Sequence, residues 1–496
     1  MRTILQGGTV VQVGRRAVGR ADVVIEDGRI AEVADHAVPG GDDSVVDVSG
    51  LVVCPGFIDA HVHAEGALWS ASCLEPALAQ GVTTVVLGQD GCSWAPVSAA
   101  TWELAQDYFA AINGRLPGPP RDLTVGELLD GFDRRAQNVA YLVPHGNLRS
   151  LVTSSAVPLE QDELSRAVRH LEDALADGAV GMSTGLDYIP SRYGDAREIA
   201  ALCEPLRAAD LVYASHLRAA TADIERALGE LVSVGEESGV RVHASHLKGQ
   251  WNLIQPVLHR DAALTYDSYP YVAACSLLAM YVLPAHLQAT DRATTLRNLR
   301  EARLSFDADR LSRLTISNAP AFRSLEGLTV TAAADRTGTP VADFVLRLLR
   351  ECELEVAVIS AGPAVSSEDI RRIASDARHC GGSDGIYLGS RPHPRGHAAF
   401  TVLLRMYLDD GAGWLGAAEH LATRPASIFA LAGRGDIRAG YAADLAVFDE
   451  AAIASAATFD QPAVLSGGLR LAYVNGEVAW SSGSWTGSNS GRALRH

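Results

Sequence analysis

Asp59-Ala60-His61-Val62-His63 sets two imidazoles two residues apart in a short apolar run. Side chains along a strand alternate between faces, so His61 and His63 emerge on the same side as a pair of nitrogen donors suited to a divalent metal. His216 closes Tyr213-Ala214-Ser215-His216 and His246 closes His243-Ala244-Ser245-His246, giving two Ser-His pairs at equivalent points of successive segments. Two carboxylates occupy comparable turns, Asp90 in Gly88-Gln89-Asp90-Gly91 and Asp384 in Gly382-Ser383-Asp384-Gly385. Taken singly, each acid is an ordinary turn or capping residue. Taken together, the six side chains suit one or two zinc ions, or another divalent metal. Such an ion lowers the pKa of bound water to about 7 and polarises a carbonyl oxygen, which leaves Asp384 to act as general base and pass the proton to a departing amine. Acyl transfer by a Ser-His-Asp triad is the rival chemistry. It is discounted on the reading that no Gly-x-Ser-x-Gly elbow is present to expose a serine.

The elements that must carry these residues follow from the hydrophobic pattern. Short apolar strands near 52–61, 82–89, 138–145, 178–184, 211–216, 241–246, 264–269 and 380–384 alternate with amphipathic helices such as 161–177, whose apolar positions are Leu164, Val168, Leu171 and Leu175. Eight β/α units predict an α/β fold of the closed (β/α)8 kind, with the chemistry collected at the C-terminal ends of the strands. The stretch 276–377 is too long for one connection. It holds two further helical patterns, 292–303 and 340–351, and the run Val356-Ala357-Val358-Ile359, so it reads as an insertion capping the barrel mouth. Short β-rich runs before residue 53 and after residue 437, with an Asn475-Gly476 hairpin turn, predict one small β domain built from both chain ends. The expected division is therefore 1–53 and 437–484 for that domain, 54–436 for the barrel, and 485–496 as a mobile Gly/Ser-rich tail.

Composition narrows the function classes. The 496 residues carry 42 Lys+Arg against 59 Asp+Glu, a net charge of −17, which excludes a nucleic-acid binder that relies on bulk positive charge. No 18-residue apolar run or secretory signal is present, so a soluble cytoplasmic protein without membrane contact is expected. The seven cysteines are scattered and contain no CxxC, which fits a reducing compartment and neither a disulfide framework nor a zinc ribbon. Lys248 is the single lysine, two residues beyond His246 and therefore directed toward the same interior. Holding a catalytic carboxylate or polarising substrate are its candidate roles.

With these motifs in place the chain resembles the amidohydrolase superfamily, and within it the D-aminoacylase (N-acyl-D-amino-acid deacylase) group. The likeness runs through Pro55-Gly56-Phe57-Ile58-Asp59-Ala60-His61-Val62-His63, Gly81-Val82-Thr83-Thr84, Ser183-Thr184-Gly185-Leu186, Ser215-His216-Leu217-Arg218, Ser245-His246-Leu247-Lys248, Tyr269-Pro270-Tyr271, Ser383-Asp384-Gly385 and His393-Pro394-Arg395. The resemblance implies a barrel flanked by a β-sandwich of both termini and hydrolysis of an N-acyl amino acid or related small amide. It implies metal ligands at His61, His63, His216 and His246, and Asp384 as acid/base and further ligand. It implies that Arg395 and Tyr269 bind the substrate carboxylate. Where many members carry Gly-Asn-Cys-Gly with a metal-binding cysteine, this chain has Asp90, a harder donor that shifts preference toward other divalent ions, with Cys92 as a fallback ligand. The usual serine six residues after the tyrosine is Cys275 here, so Ser276 is expected to take its place through a one-residue register shift. His145 and Arg149 match a further segment, with a structural role as an equal reading. A cyclic amide or imide hydrolase and a non-catalytic scaffold are the alternatives.

Overall fold

The computed structural model describes residues 2–220, 222–260, 263–284, 287–288, 292–301, 304, 306–361 and 365–496. The barrel strands are Phe57–Asp59, Val82–Leu87, Asn138–Tyr141 with its continuation Val143–Pro144, Gly181–Gly185, Val212–His216, Arg241–Ala244, Thr265–Ser268 and His379–Gly381. All neighbouring pairs run parallel. The ring closes where the Ala60 amide donates to the Gly381 carbonyl at 3.1 Å, and just beyond, Val62–His63 pairs with Gly385–Ile386. Closure brings the first and last strands together, and with them His61, His63 and Asp384.

Small and β-branched side chains, among them Ile58, Val86, Ala140, Val180 and Ala214, fill the lower barrel and pack onto Phe429 and Leu431. The connecting helices bury one stripe each. Gln161–Ala176 buries Leu164, Ala167, Leu171 and Ala174 and opens on a capping box in which Glu160 and Glu163 satisfy each other's backbone amides.

Both chain ends enter one nine-stranded sheet, in which Val52–Pro55 lies between Thr3–Gln12 and Leu445–Phe448. The run expected as one barrel strand over 52–61 is therefore divided. Its first half pairs antiparallel with Leu445–Phe448, and its second half joins the barrel. The break falls at Gly56, whose amide donates to the Asp444 carbonyl and where any Cβ would overlap Thr83.

The insertion builds its own core. Strands Ala274–Leu277, Leu314–Asn318 and Ala357–Ser360 form an antiparallel sheet, covered by Arg292–Glu301, Val330–Thr337 and Val341–Glu351 around Phe344, Leu348 and Val358. The tail expected to be mobile is docked. The Val139 amide donates to the Arg492 carbonyl and the Leu494 amide returns a bond to Val139, at 2.9 and 2.7 Å. Leu494 packs against the barrel floor. A glycine- and serine-rich composition did not prevent pairing, because the third barrel strand offers a free backbone edge there. Among the described residues, no helix is long and apolar enough to cross a membrane.

Candidate metal centre and catalytic site

Asp90 sits at the middle of the cluster. Its carboxylate oxygens lie 3.6 Å from His61 Nε2, 3.6 Å from His63 Nε2, 3.5 Å from His216 Nδ1 and 3.4 Å from His246 Nε2. His216 Nδ1 is also 2.9 Å from His246 Nε2. Asp384 joins the cluster, with Oδ1 3.5 Å from His63 Nε2 and 3.9 Å from His61 Nε2. All six residues predicted to hold metal thus meet at the C-terminal ends of the strands, and three of them have left-handed backbones: Asp90 at φ +55°, His246 at +37° and Asp384 at +47°. Strain of this kind persists only where the surroundings over-determine it.

A divalent cation fits this donor set. His61 Nε2 and Oδ1 of Asp90 are buried and have no hydrogen-bond partner among the described residues, a costly state that a cation between them would relieve. Two triads, His61-Asp90-His246 and His61-His63-Asp384, bring one donor atom each within 4.8 Å of one another. Burial opposes the Asp90 charge, yet the charges of His246, His61 and His216 outweigh it and hold its pKa well below the usual carboxylate range.

Supporting groups that the sequence did not announce surround the cluster. His63 Nδ1 meets Asn113 Oδ1 at 2.9 Å, His216 Nε2 faces Asp187 Oδ2 at 3.5 Å, and His61 Nδ1 faces Asp267 Oδ2 at 3.6 Å. Asn113 ends a one-turn helix, Ala110–Asn113, in the connection to the third strand, where no periodic signal marks it. Asp267 does lie on a barrel strand, and its place two residues before Tyr269 would have flagged it as inward-facing.

Not every candidate lands where expected. Cys92 is turned away from the histidines, its sulfur 3.8 Å from the Ile189 carbonyl and buried among Phe109 and Tyr188, and burial pushes its thiol pKa up. Arg395, expected to hold a substrate carboxylate, is fully buried behind Asp384. Its Nη1 lies 2.7 Å from Asp384 Oδ2, and its guanidinium stacks 4.6 Å from the Tyr269 ring centre. The buried carboxylate beside it claims the guanidinium first.

Lys248 stands in the cavity wall, which Arg310 also lines. Its Nζ donates to the carbonyls of Val272 and Ala273 at 3.1 and 3.0 Å and lies 4.7 Å over Tyr269. Burial, helped by the charge of Arg395, lowers its pKa to about 7. Tyr269, Cys275 and Ser276 line the same cavity, of about 580 Å³, and Ser276 Oγ is 3.1 Å from Tyr188 Oη. His145 and Arg149 serve a buried ion network on Glu198 instead, at 2.8 and 2.6 Å.

The triad rival needs a correction of its own. Gly181-Met182-Ser183-Thr184-Gly185 does have the elbow spacing, but it is a barrel strand and not a strand-to-helix turn. Ser183 is fully buried, donates to the Gly88 carbonyl at 2.5 Å and accepts from the Gly91 amide at 3.0 Å. It fastens the Asp90 turn and faces no histidine.

A parallel barrel that gathers imidazoles and carboxylates above its strand ends, beside a cavity, is the arrangement of a metal-assisted hydrolase. The sequence pattern of the amidohydrolase family matches residues 44–479, and the chain belongs to that family. It is 33% identical to a D-aminoacylase of Alcaligenes xylosoxydans xylosoxydans over 99% of this chain and 97% of the relative. The crystal structure of a D-aminoacylase superposes with a TM-score of 0.82 at 31% identity, covering 100% of this chain and 99% of that one. An N-acyl-D-glutamate deacylase of Bordetella bronchiseptica, solved with zinc and a phosphonate mimic of the tetrahedral intermediate, superposes with a TM-score of 0.84 at 26% identity over 100% and 99% of the two chains.

Proposed function

We propose that this protein hydrolyses the amide bond of N-acyl D-amino acids, releasing a carboxylate and a free amine. The observation that carries the reading is the meeting of four imidazoles and two carboxylates at one end of a cavity whose wall holds the chain's single lysine. The D-specific names of the relatives support the stereochemistry.

His61, His63, Asp90, His216, His246 and Asp384 would hold one or two divalent ions, with zinc supported by the deacylase relative. Such an ion, when bound, polarises a carbonyl oxygen and acidifies water. Asp384 supplies the proton transfers. Arg395 pins its Oδ2, which leaves Oδ1 facing the histidines, where it takes a proton from attacking water and delivers it to the leaving nitrogen. Lys248, Tyr269 and Ser276 anchor the carboxylate end of the substrate, with Lys248 as the charge. The insertion contributes Met280, Tyr281 and Ser360 to the cavity wall. The seven unpaired cysteines support a reducing, cytoplasmic location.

A panel of N-acyl D- and L-amino acids, dipeptides and cyclic amides, run on protein of measured metal content, tests the reading. Turnover of the N-acyl D-amino acids, abolished by a chelator and restored by zinc, is the expected result. Metal-replete protein that is inert across the panel, or that turns over only ring amides, would overturn it.

A further inference from the structure

Asp267 holds the backbone of His246 and faces the ring of His61, and nothing in the proposed reaction uses it. It is the penultimate residue of the seventh barrel strand, is completely buried, and divides its two oxygens. Oδ1 accepts the His246 amide at 3.0 Å, at the residue whose φ of +37° needs an external hold. Oδ2 accepts from His243 Nε2 at 3.1 Å and is the carboxylate oxygen facing His61 Nδ1, at 3.6 Å. His243 is fixed in turn, its Nδ1 2.9 Å from Thr265 Oγ1. Space is kept for this arrangement by Gly382, where a Cβ would overlap Asp267 Oδ1 and crowd His61.

We infer that Asp267 is the positioning residue of the metal centre. One carboxylate fixes the ring of His61, leaving Nε2 as its donor toward Asp90, and holds the strained backbone that aims His246. A histidine that binds metal through one nitrogen is commonly oriented by an acceptor on the other, which also makes the imidazole a better donor. His63 has Asn113 and His216 has Asp187 for that task, while Asp267 serves His61 and His246 together. The inference rests on the reading that the cluster holds a divalent cation.

The test compares wild type with Asp267→Asn and Asp267→Ala, using Co²⁺ as the probe. Dissociation constants are measured by competition with a chromophoric chelator, and the visible d–d absorption of the bound ion reports its geometry. Circular dichroism and thermal unfolding of the metal-free proteins separate folding from binding. Asn keeps the volume and an acceptor for the His246 amide but turns a donor toward His61, so it is expected to fold like wild type, bind Co²⁺ about 10- to 100-fold more weakly and shift the absorption. Asp267→Ala should lose at least as much. Wild-type affinity and an unchanged spectrum in folded Asp267→Asn would overturn the inference while leaving the metal reading intact. Wild type that binds no divalent ion would overturn both. Should the variants fail to fold, a structure of zinc-loaded wild type decides. His61 Nδ1 within about 3.2 Å of Asp267 Oδ2 is expected, and a different partner for that nitrogen would sink the proposal.

Discussion

Asp384 is gripped through Oδ2 by Arg395 and offers Oδ1 to the histidines. Replacing it with Asn keeps size and removes the base, so kcat should fall about 10²–10⁴-fold while metal content, measured by elemental analysis, stays near wild type. Arg395→Ala separates two roles that a guanidinium could fill. A group that bound only the substrate carboxylate would raise KM and leave kcat alone. Because the structure sets Arg395 behind Asp384, kcat is expected to fall more than KM rises, and steady-state kinetics with a raised KM alone would refute that. The six metal candidates were readable because each closes a strand or sits in the turn just after one. The partner of Arg395 was not. A sequence shows that a guanidinium is present and says nothing of which carboxylate, internal or bound, reaches it first. Asn113 and Asp187 escaped for a related reason, since they belong to connections without periodicity.

The turn after the second barrel strand depends on Gly88, at φ +78°, where a Cβ would overlap the Leu142 carbonyl oxygen. Gly88→Ala cannot be relieved by a side-chain rotation. It should cost about 1–3 kcal/mol in denaturant unfolding and, by moving Asp90, weaken metal binding as well. A second element carries a pH signature. Helix Ala196–Ala208 contributes Glu198, buried against His145 and Arg149. Burial raises its carboxyl, but the bonds and charges of His145 and Arg149 outweigh that and hold it at about 2, against an ordinary 4.5. A carboxyl depressed in the folded state stabilises fully above its unfolded pKa and loses that contribution as pH falls toward the folded one. That contribution should therefore be present in full at pH 7 and be lost as pH falls from about 4.5 to about 2. Thermal unfolding of wild type and Glu198→Gln across that range should show the gap closing toward acid, and a constant gap would contradict the assignment. Periodicity located these helices and strands, but it could not divide the run 52–61, because both halves are equally apolar and only the pairing with Leu445–Phe448 separates them.

The last residues lie against the barrel and add backbone bonds to its third strand. Removing 487–496 deletes the pairings of Gly491, Arg492 and Leu494 with Arg135, Asn138 and Val139. At about 0.5–1.5 kcal/mol per bond, and with Leu494 lost from the barrel floor, the truncated protein should unfold several degrees lower by calorimetry. An unaltered transition would mean the docked tail contributes nothing. A different consequence attaches to Lys248. In a molecule with 41 arginines and one lysine, the sole side-chain amine stands in the wall of the substrate cavity. Amine-selective chemistry that keeps the charge, such as reductive methylation with labelled formaldehyde, has no other side chain to mark. The molecule therefore comes with a built-in address for a spectroscopic tag beside its reacting centre, and a substrate that fills the cavity would announce itself by shielding that tag.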